Sequence, residues 1–515
     1  MGFEDFLQKL VDFINAVRTQ KPTEIYQEYA VQITEYYYSH ENVVGRLQEA
    51  VGTDVELYAL FLFTLQFIVQ DPKCVYELQQ LPLRDDFELF AAIDVSFQVA
   101  SLAFRDDNVH LPYSSQRKVF EHLLERVETE LIGEVDFLPY GQRNKKRIVL
   151  ATDALLELYH APTKLVFTMA DYLNKLGYEV IIVVNVWKQP RERGEQYCFA
   201  PFRPNYNKGL GGCSDVEYHS NEYTIYQIFF GEGEMEQQRQ MLKRIYDWKP
   251  LFVWYIGGSL PVGNIYRRVV TELSMGCTDG YLCSCAPVLL SYMQSNSDDV
   301  RESIAYASSH GQKLYNIRIA SKYDRSNLIL TRKDLGIPER SFVLSVVGNR
   351  LDDEISLEFV KMLRKLAGHS EIFHIVLVGE CSEGVLEGID RERYTCLGFR
   401  KDLVDVLAMT DLFVNPPRQG GGGGAARAFA VGVPVVTYPD CDVSNVTGPD
   451  FCCQSLEEMR GLIERYANDS DFYKKQQERV RQINKEREET SDHAADEVGR
   501  MIEQVTSWLE SGEID

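Results

Sequence analysis

The glycine-rich segment at residues 415–437 constrains the fold of this chain more than any other stretch. It reads NPPRQGGGGGAARAFAVGVPVVT, in which five consecutive glycines precede a run of helix formers that ends at Gly432, just before Pro434. Because glycines leave their backbone N–H groups uncovered, a loop at residues 420–424 can wrap around a phosphate at the positive end of the following helix. A flexible linker needs neither the helix formers nor the residues that stop the helix. The segment therefore predicts a strand, an anion-binding loop, a helix and a second strand.

Composition and charge set the broad class of the protein. Its 515 residues are 45% hydrophobic, which is enough for two or three domains. A formal net charge of −23 disfavours nonspecific binding to nucleic acid or to an anionic membrane, so any phosphate site has to be local. The eleven cysteines match neither a zinc pattern nor a small disulfide-stabilised protein, and no signal peptide or membrane-spanning stretch stands out. We therefore expect a cytoplasmic protein without a transmembrane segment, a metal site or a nucleic-acid partner.

The N-terminal region, residues 1–142, is predicted to be an all-helical domain. Apolar residues such as Phe3, Phe6 and Leu10 recur at helical spacing, and the alternation typical of strands is missing. Three consecutive tyrosines at 36–38 fit either a binding surface or the core of the domain. This domain is expected to bind a protein partner or to stabilise the rest of the chain.

Residues 143–322 predict a first Rossmann-like domain, because apolar strand patterns alternate there with helical ones. The stretch at residues 187–223 is polar and too long for a simple connection, so it is either an acceptor loop or a surface excursion. Strands are expected at residues 148–151, 180–186, 224–230 and 252–256, and helices at 164–176 and 234–246.

A second alternation predicts another Rossmann-like domain at residues 323–485, followed by a helical tail at residues 486–515. The glycine-rich segment lies in this domain at the carboxyl end of a strand, where open α/β sheets bind ligands. The expected fold class is thus α/β, with two Rossmann-like domains facing each other behind an N-terminal helical extension. Strands are expected at residues 342–347, 375–378 and 412–414, and helices at 356–366 and 403–409.

Four segments of the second half, in this order and spacing, resemble the GT-B glycosyltransferases. They are RKDLGIPERSFVLSVVGNR at 332–350, IVLVGE at 375–380, LGFRKDLVDVLAMTDLFVNP at 397–416 and GGGGAARAFAVGVPVVT at 421–437. The resemblance extends from about residue 146 to the end and implies a cleft between two domains in GT-B arrangement. It implies a nucleotide diphosphate sugar as donor substrate, with a UDP-sugar expected, and neither a permanently bound cofactor nor a protein-bound metal.

The same resemblance assigns the donor site. Arg350 follows the first strand of the second domain, and its planar guanidinium is expected to face the donor diphosphate. The backbone of Gly421, Gly422, Gly423 and Gly424 is expected to approach the phosphates.

The donor segment also departs from the large retaining branch of the family. That branch has an E-x7-E motif, and its two acidic positions are Gln419 and Arg427 here. The lysine often found five residues beyond the strand-end arginine is Ile355. A retaining mechanism copied from that branch is therefore not expected. Gln419 and Arg427 remain donor-site candidates, and Arg427 either adds a positive charge near the diphosphate or points outward from its helix.

His160 is the predicted general base. It lies between the first strand and the first helix of the first Rossmann-like domain, and direct displacement at a sugar requires the acceptor to lose a proton. A structural histidine, or one that positions substrate, is an equal alternative. Asp153 is expected to orient His160, to contact substrate or to cap a turn.

A turn-rich loop after the strand at residues 252–256 predicts the opposite wall of the cleft. Its side chains can hydrogen-bond an acceptor or a donor, while its glycines also fit a simple tight crossover. The candidate residues are Gly257, Gly258, Ser259 and Asn264.

These patterns predict a glycosyltransferase that moves a sugar from a nucleotide diphosphate sugar to a protein, glycan or lipid-linked acceptor. The helical extension is similar to that of bacterial soluble N-glycosyltransferases, which favours a protein or peptide acceptor. Two alternatives stay open. Loss of both acidic positions also fits a noncatalytic GT-B-like scaffold or partner subunit, and the same architecture serves sugar-nucleotide epimerases.

Overall fold

The computed structural model describes residues 1–19, 23–105, 109–157, 160–187, 206–231, 233–277, 280–292, 297–326, 329–382 and 384–514. Residues 188–205, which belong to the predicted excursion, lie outside this described part.

The N-terminal region is helical, as the sequence predicts. The apolar helix α4 is surrounded by other helices, which explains why it is hydrophobic on every face. None of the helices in the described ranges has the length and apolar content that crossing a membrane requires. The helices are α1 (Phe3–Arg18), α2 (Thr23–Ser39), α3 (Val43–Val51), α4 (Val55–Val69), α5 (Pro72–Gln80), α6 (Leu89–Arg105) and α7 (Tyr113–Arg126).

An eight-stranded sheet follows within the described residues. Its strands are β1 (Arg147–Thr152), β2 (Glu179–Trp187), β3 (Cys213–Tyr218), β4 (Asn221–Phe230), β5 (Val253–Gly257), β6 (Glu272–Gly276), β7 (Val288–Ser291) and β8 (Lys313–Asn316). They lie in the order β3-β4-β2-β1-β5-β6-β7-β8, and only the pair β3 and β4 is antiparallel among these neighbours. The helices α8 (Ala161–Lys175), α9 (Met235–Trp248) and α10 (Asp298–Ser309) connect strands of this sheet.

The helical region shares a hydrophobic core with one face of this sheet. The ring of Phe90 on α6 lies 6.3 Å from that of Trp187 at the end of β2. The Trp187 ring lies 5.4 Å from that of Phe230 at the end of β4. Buried residues of β1 and β5 belong to the same core as those of the helices. The helices therefore pack directly against the sheet and do not form a separate domain joined to it only by a linker.

The second sheet is parallel and has five strands in the described part of the chain. They are β9 (Phe342–Val347), β10 (Phe373–Val378), β11 (Tyr394–Cys396), β12 (Leu412–Val414) and β13 (Val435–Val436), in the order β11-β10-β9-β12-β13. The helices of this part are α11 (Leu351–Glu354), α12 (Leu357–His369), α13 (Leu403–Leu407), α14 (Gly422–Ala430) and α15 (Asp442–Thr447).

The C-terminal helices are α16 (Leu456–Asn468), α17 (Ser470–Asp492) and α18 (Ala494–Glu510). The last of them returns to the first sheet, where Val498, Met501 and Val505 are buried in the core that contains β1 and α8. The end of the chain therefore stabilises the first sheet by burying apolar surface on it.

The topology places one ligand crevice at each sheet. In the first sheet β1 has β2 on one side and β5 on the other, so the direction of strand addition reverses at β1. In the second sheet β9 has β10 on one side and β12 on the other. Open α/β sheets bind ligands at such reversals, outside the carboxyl ends of the two central strands. The loops after β1 and β5, and those after β9 and β12, are therefore the expected site walls.

Candidate active site

The glycine segment corrects one expectation from the sequence. Helix α14 begins at Gly422, so Gly422, Gly423 and Gly424 form its first turn and not a loop. The physical reason lies at Gly421, whose φ of 111° is open to glycine and whose carbonyl accepts from the N–H of Gly424 at 2.9 Å and of Ala425 at 3.1 Å. The first N–H groups of a helix have no intrahelical acceptor. The positive end of α14 thus faces the crevice at the carboxyl ends of β9 and β12.

Arg350 borders the same crevice, immediately after the turn that follows β9. Its Nη2 donates to Glu354 Oε1 at 3.3 Å, and its side chain is 41% exposed. Its guanidinium also lies 5.9 Å from the centre of the Phe104 ring, at the end of α6. One arginine of the predicted donor site therefore contacts the N-terminal helical region, and it is exposed enough to turn towards an anionic ligand.

Arg418 is a residue of this site that the sequence did not single out. It lies on the loop between β12 and α14, and its side chain is only 7% exposed. Its Nε donates to Asn415 Oδ1 at 2.8 Å and its Nη2 donates to the Val347 carbonyl at 2.5 Å. Its Nη1 forms an ion pair with Glu354. Burial lowers the pKa of the Arg418 guanidinium, and the neighbouring Glu354 carboxylate opposes this effect.

The two residues at the missing acidic positions differ in their surroundings. Gln419 is exposed, and its carbonyl accepts from the N–H of Asp442 at 2.9 Å. Arg427 donates from Nη1 to the Gly423 carbonyl at 2.7 Å, and its guanidinium lies 4.2 Å from the Tyr323 ring centre. Arg427 therefore packs on the segment that joins the two sheets. A role for either residue in binding a donor stays a prediction.

Asp153 links the two central loops of the first sheet. It follows β1, and its carboxylate accepts from the Tyr255 hydroxyl at 2.5 Å and from the N–H of Gly258 at 2.7 Å. Burial raises the pKa of Asp153 to about 6, although both hydrogen bonds favour the ionised form. Of the three roles expected for Asp153, the structure supports that of a group that fixes a turn, since it ties the β1 loop to the β5 loop.

His160 is the N-cap residue of α8 and sits on the loop that follows β1. Its Nδ1 is 3.0 Å from Thr163 Oγ1, which leaves Nε2 for another partner. Burial lowers the pKa of His160, so the imidazole is neutral at pH 7 and can accept a proton. The described hydrogen bonds of Asp153 go to other residues, so they do not orient His160.

The loop after β5 contributes unequally to the crevice. Gly258 and Ser259 are partly or fully exposed, whereas Gly257 is buried. Asn264 is only 1% exposed, and its Oδ1 accepts from Ser284 Oγ at 2.7 Å. Asn264 is therefore held inside the protein and not on the wall of the cleft, because its amide group is needed to satisfy buried polar neighbours. Within the described ranges, no three His, Cys, Asp or Glu side chains are arranged to hold a metal ion.

Comparison with known proteins agrees with this architecture. Residues 342–465, which include β9, β12 and α14, match the family model described as Glycosyl transferases group 1. A mutant of the Thermobaculum terrenum O-GlcNAc transferase is similar in structure, with a TM-score of 0.54 and 12% sequence identity over 99% of both chains. The chain has the GT-B fold. An E. coli structure, trehalose-6-phosphate bound with UDP-2-fluoro glucose, has a TM-score of 0.50 and 11% identity, over 70% of this chain and 99% of that one. No curated protein sequence matches the chain.

The GT-B fold confirms the fold class expected from the sequence, including the helical N-terminal region. Because the sheets of a GT-B protein face each other across a cleft, the fold predicts that the two candidate crevices belong to one site.

Proposed function

We propose that this GT-B protein transfers a sugar from a nucleotide diphosphate sugar to an acceptor held between its two sheets. The observation that carries the proposal is that Arg350 and the N-terminus of α14 both border the crevice of β9 and β12. Both features attract anions, and the matched glycosyltransferase segment at residues 342–465 contains both. The E. coli structure of the same fold is bound with UDP-2-fluoro glucose, which favours UDP as the nucleotide.

The chemistry follows from charge. When the bond between the anomeric carbon and the phosphate oxygen breaks, the nucleoside diphosphate leaves with the electron pair and gains negative charge. Arg350 and the N–H groups at the start of α14 stabilise this charge. Cationic and dipolar groups of the protein supply the stabilisation, so no step requires a metal ion.

On the acceptor side, we assign His160 as the general base. The acceptor nucleophile attacks the anomeric carbon from the face opposite the leaving diphosphate, and its proton passes to Nε2 of His160. The lowered pKa keeps the imidazole neutral and ready to accept the proton at pH 7. This arrangement inverts the anomeric centre.

The acceptor is proposed to be a protein or peptide. The helical region packs directly on the first sheet, and Phe104 from that region reaches Arg350. The helices thus add to the wall of the cleft beside the proposed donor site, where they offer a surface for a protein or peptide acceptor.

The first experiment is a mass-spectrometric screen of the purified protein with UDP-, GDP- and dTDP-sugars, following nucleotide release and transfer to lysate proteins and glycans. We expect a sugar-dependent product, and Arg350→Ala is expected to reduce its rate by about 10- to 100-fold, because hydrogen bonds to charged groups contribute about 1.5–3 kcal/mol. Arg340→Ala is the matched control, since Arg340 is exposed and precedes β9 at its opposite end. Equal losses in both variants, or no product with any donor, would contradict the proposal.

His160→Ala is expected to lower kcat by about 100-fold with little change in the KM for the donor, because a general base acts in the transition state. His219→Ala is the control, since His219 is an exposed histidine at the turn between β3 and β4. Steady-state measurements at several pH values would detect the change. Unaltered turnover in His160→Ala would remove His160 from the mechanism.

A second candidate function is a noncatalytic scaffold that binds a nucleotide and supports an active partner. Replacement of both acidic motif positions by Gln419 and Arg427 favours it. Nucleotide binding without hydrolysis or transfer, even with the partner present, would establish this function. Isomerisation of the donor without any acceptor would instead indicate an epimerase.

A further inference from the structure

We propose that Arg418 is a positioning residue of the donor site. It sets the distance between the Arg350 turn and helix α14, and it neutralises Glu354 so that Arg350 can bind phosphate. This inference rests on the proposed function, because it assumes that the crevice of β9 and β12 binds a nucleoside diphosphate. Arg418 itself is almost fully buried and is not expected to touch the ligand.

Arg418 bonds three separate elements around the crevice. Its Nη2 reaches the carbonyl of Val347, the last residue of β9, at 2.5 Å. Its Nε reaches the side chain of Asn415, the residue after β12, at 2.8 Å. Its Nη1 pairs with Glu354, the last residue of α11. One rigid, planar group thus fixes the end of each central strand and the helix that follows Arg350.

The backbone of Gly348 and of Gly421 packs closely against the Arg418 guanidinium. A Cβ added to Gly348 would lie 2.5 Å from Nη1 of Arg418, and one added to Gly421 would lie 2.9 Å from Nη2. The two backbone segments that border the crevice therefore rest directly on the guanidinium. A smaller side chain at position 418 would leave both segments without support from below.

Glu354 connects Arg418 to Arg350 electrostatically. Its Oε2 pairs with Arg418, and its Oε1 accepts from Arg350 at 3.3 Å. With its charge balanced by Arg418, Glu354 holds Arg350 only weakly and does not repel an incoming diphosphate. Without Arg418, an unbalanced carboxylate would retain Arg350 and oppose the anion.

Isothermal titration calorimetry with UDP, GDP and dTDP tests this proposal. Arg418→Met is expected to weaken binding of the preferred nucleotide about tenfold, and Arg418→Lys less, because the lysine ammonium keeps the charge but not the three-way geometry. In the Arg418→Met background, adding Glu354→Gln removes the unbalanced charge and should restore at least half of the lost binding free energy. The melting temperature of each variant separates the two roles, because an ion pair that only stabilises the fold would change nucleotide binding only in parallel with Tm.

Glu354→Gln alone keeps the experiment decisive if Arg418→Met does not fold. Because the charge of Arg418 is then no longer balanced by Glu354, the crevice becomes more positive, and the nucleotide should bind about two- to fivefold more tightly. Weaker binding in Glu354→Gln, or no rescue in the double variant, would overturn the role of Arg418 while leaving the proposed function intact. Failure of the unmodified protein to bind any of the three nucleotides would overturn both.

Discussion

Gly379→Ala is expected to destabilise the second sheet by about 4 kcal/mol and to abolish nucleotide binding at the crevice of β9 and β12. Gly379 follows β10 with a φ of 133°, which side chains with a Cβ rarely adopt, and its N–H donates to the Gly398 carbonyl at 2.9 Å. An added Cβ would lie 1.6 Å from the carbonyl oxygen of Gly348. That oxygen is fixed backbone, so the new methyl group has to push the two strand ends apart.

The damage should reach the site because Gly348 lies two residues before Arg350 and directly above Arg418. Hydrogen exchange followed by mass spectrometry would show the change as an increase of about a thousandfold in the exchange of β9 and β10 amides. Tryptophan emission should be nearly unaffected, because the tryptophans lie outside the second sheet, at Trp187, Trp248, Trp254 and Trp508.

Gly368→Ala is the matched control for this experiment. Gly368 is an exposed residue of α12 in the same part of the chain, and an added Cβ would meet no atom within 4 Å. Its replacement should be neutral or stabilising by up to about 1 kcal/mol, since alanine favours a helix. Unchanged exchange in Gly379→Ala would show that the two strand ends can separate at low cost, contrary to the tight packing described here.

The sequence predicts most of the two sheets because their central strands are continuous apolar runs. The bounds predicted for β9 and β12 agree with the structure residue by residue. Five strands were not predicted, namely β3, β6, β7, β8 and β11. Of these, Cys213–Tyr218 alternates in burial and Tyr394–Cys396 is only partly buried. Such strands form because a neighbouring strand offers hydrogen-bonding groups, and a local sequence pattern does not contain that information.

The candidate site likewise contains residues whose positions the sequence predicts and residues whose positions it does not. The positions of Arg350 and the glycines beside the crevice were predictable because these residues end or begin an element next to a recognisable strand. Arg418 was not, since its carbonyl partner Val347 is 71 residues away and its carboxylate partner Glu354 is 64 residues away. The prediction for Asn264 was wrong because its local sequence pointed to an exposed position. Its turn-rich surroundings suggested an exposed loop, but long-range packing buried the side chain.

Glu272→Gln is expected to stabilise the protein above pH 8 by an amount on the order of 4 kcal/mol, with no comparable gain below pH 4.5. Glu272 is fully buried on β6, where it accepts from Ser274 Oγ at 3.0 Å and from the N–H of Arg267 at 3.1 Å. Burial raises its pKa from 4.5 to about 8. Arg267 opposes this shift and Glu128 adds to it, but neither outweighs the loss of hydration.

The direction of this pH dependence follows from proton binding to Glu272. Between pH 4.5 and 8 the native protein keeps the proton on Glu272, whereas the unfolded chain releases it. Rising pH therefore favours the unfolded chain. The contribution of protonated Glu272 to the free energy of unfolding is fully present below pH 4.5 and is lost by pH 8. Glutamine has the same shape and does not ionise, so the variant should lack this loss and should match the unmodified protein within about 1 kcal/mol at low pH.

Denaturation followed by tryptophan emission provides the measurement, because the buried Trp254 lies on β5 opposite Leu273, the neighbour of Glu272. The difference in stability between Glu272→Gln and the unmodified protein should grow steadily from pH 4.5 to 8 and then level off. Glu222→Gln, at an exposed position of β4 in the same sheet, should show no such trend. A difference that stays constant with pH would mean that Glu272 is ionised in the folded protein, and its carboxylate would then require a cationic partner that reaches the interior of the sheet.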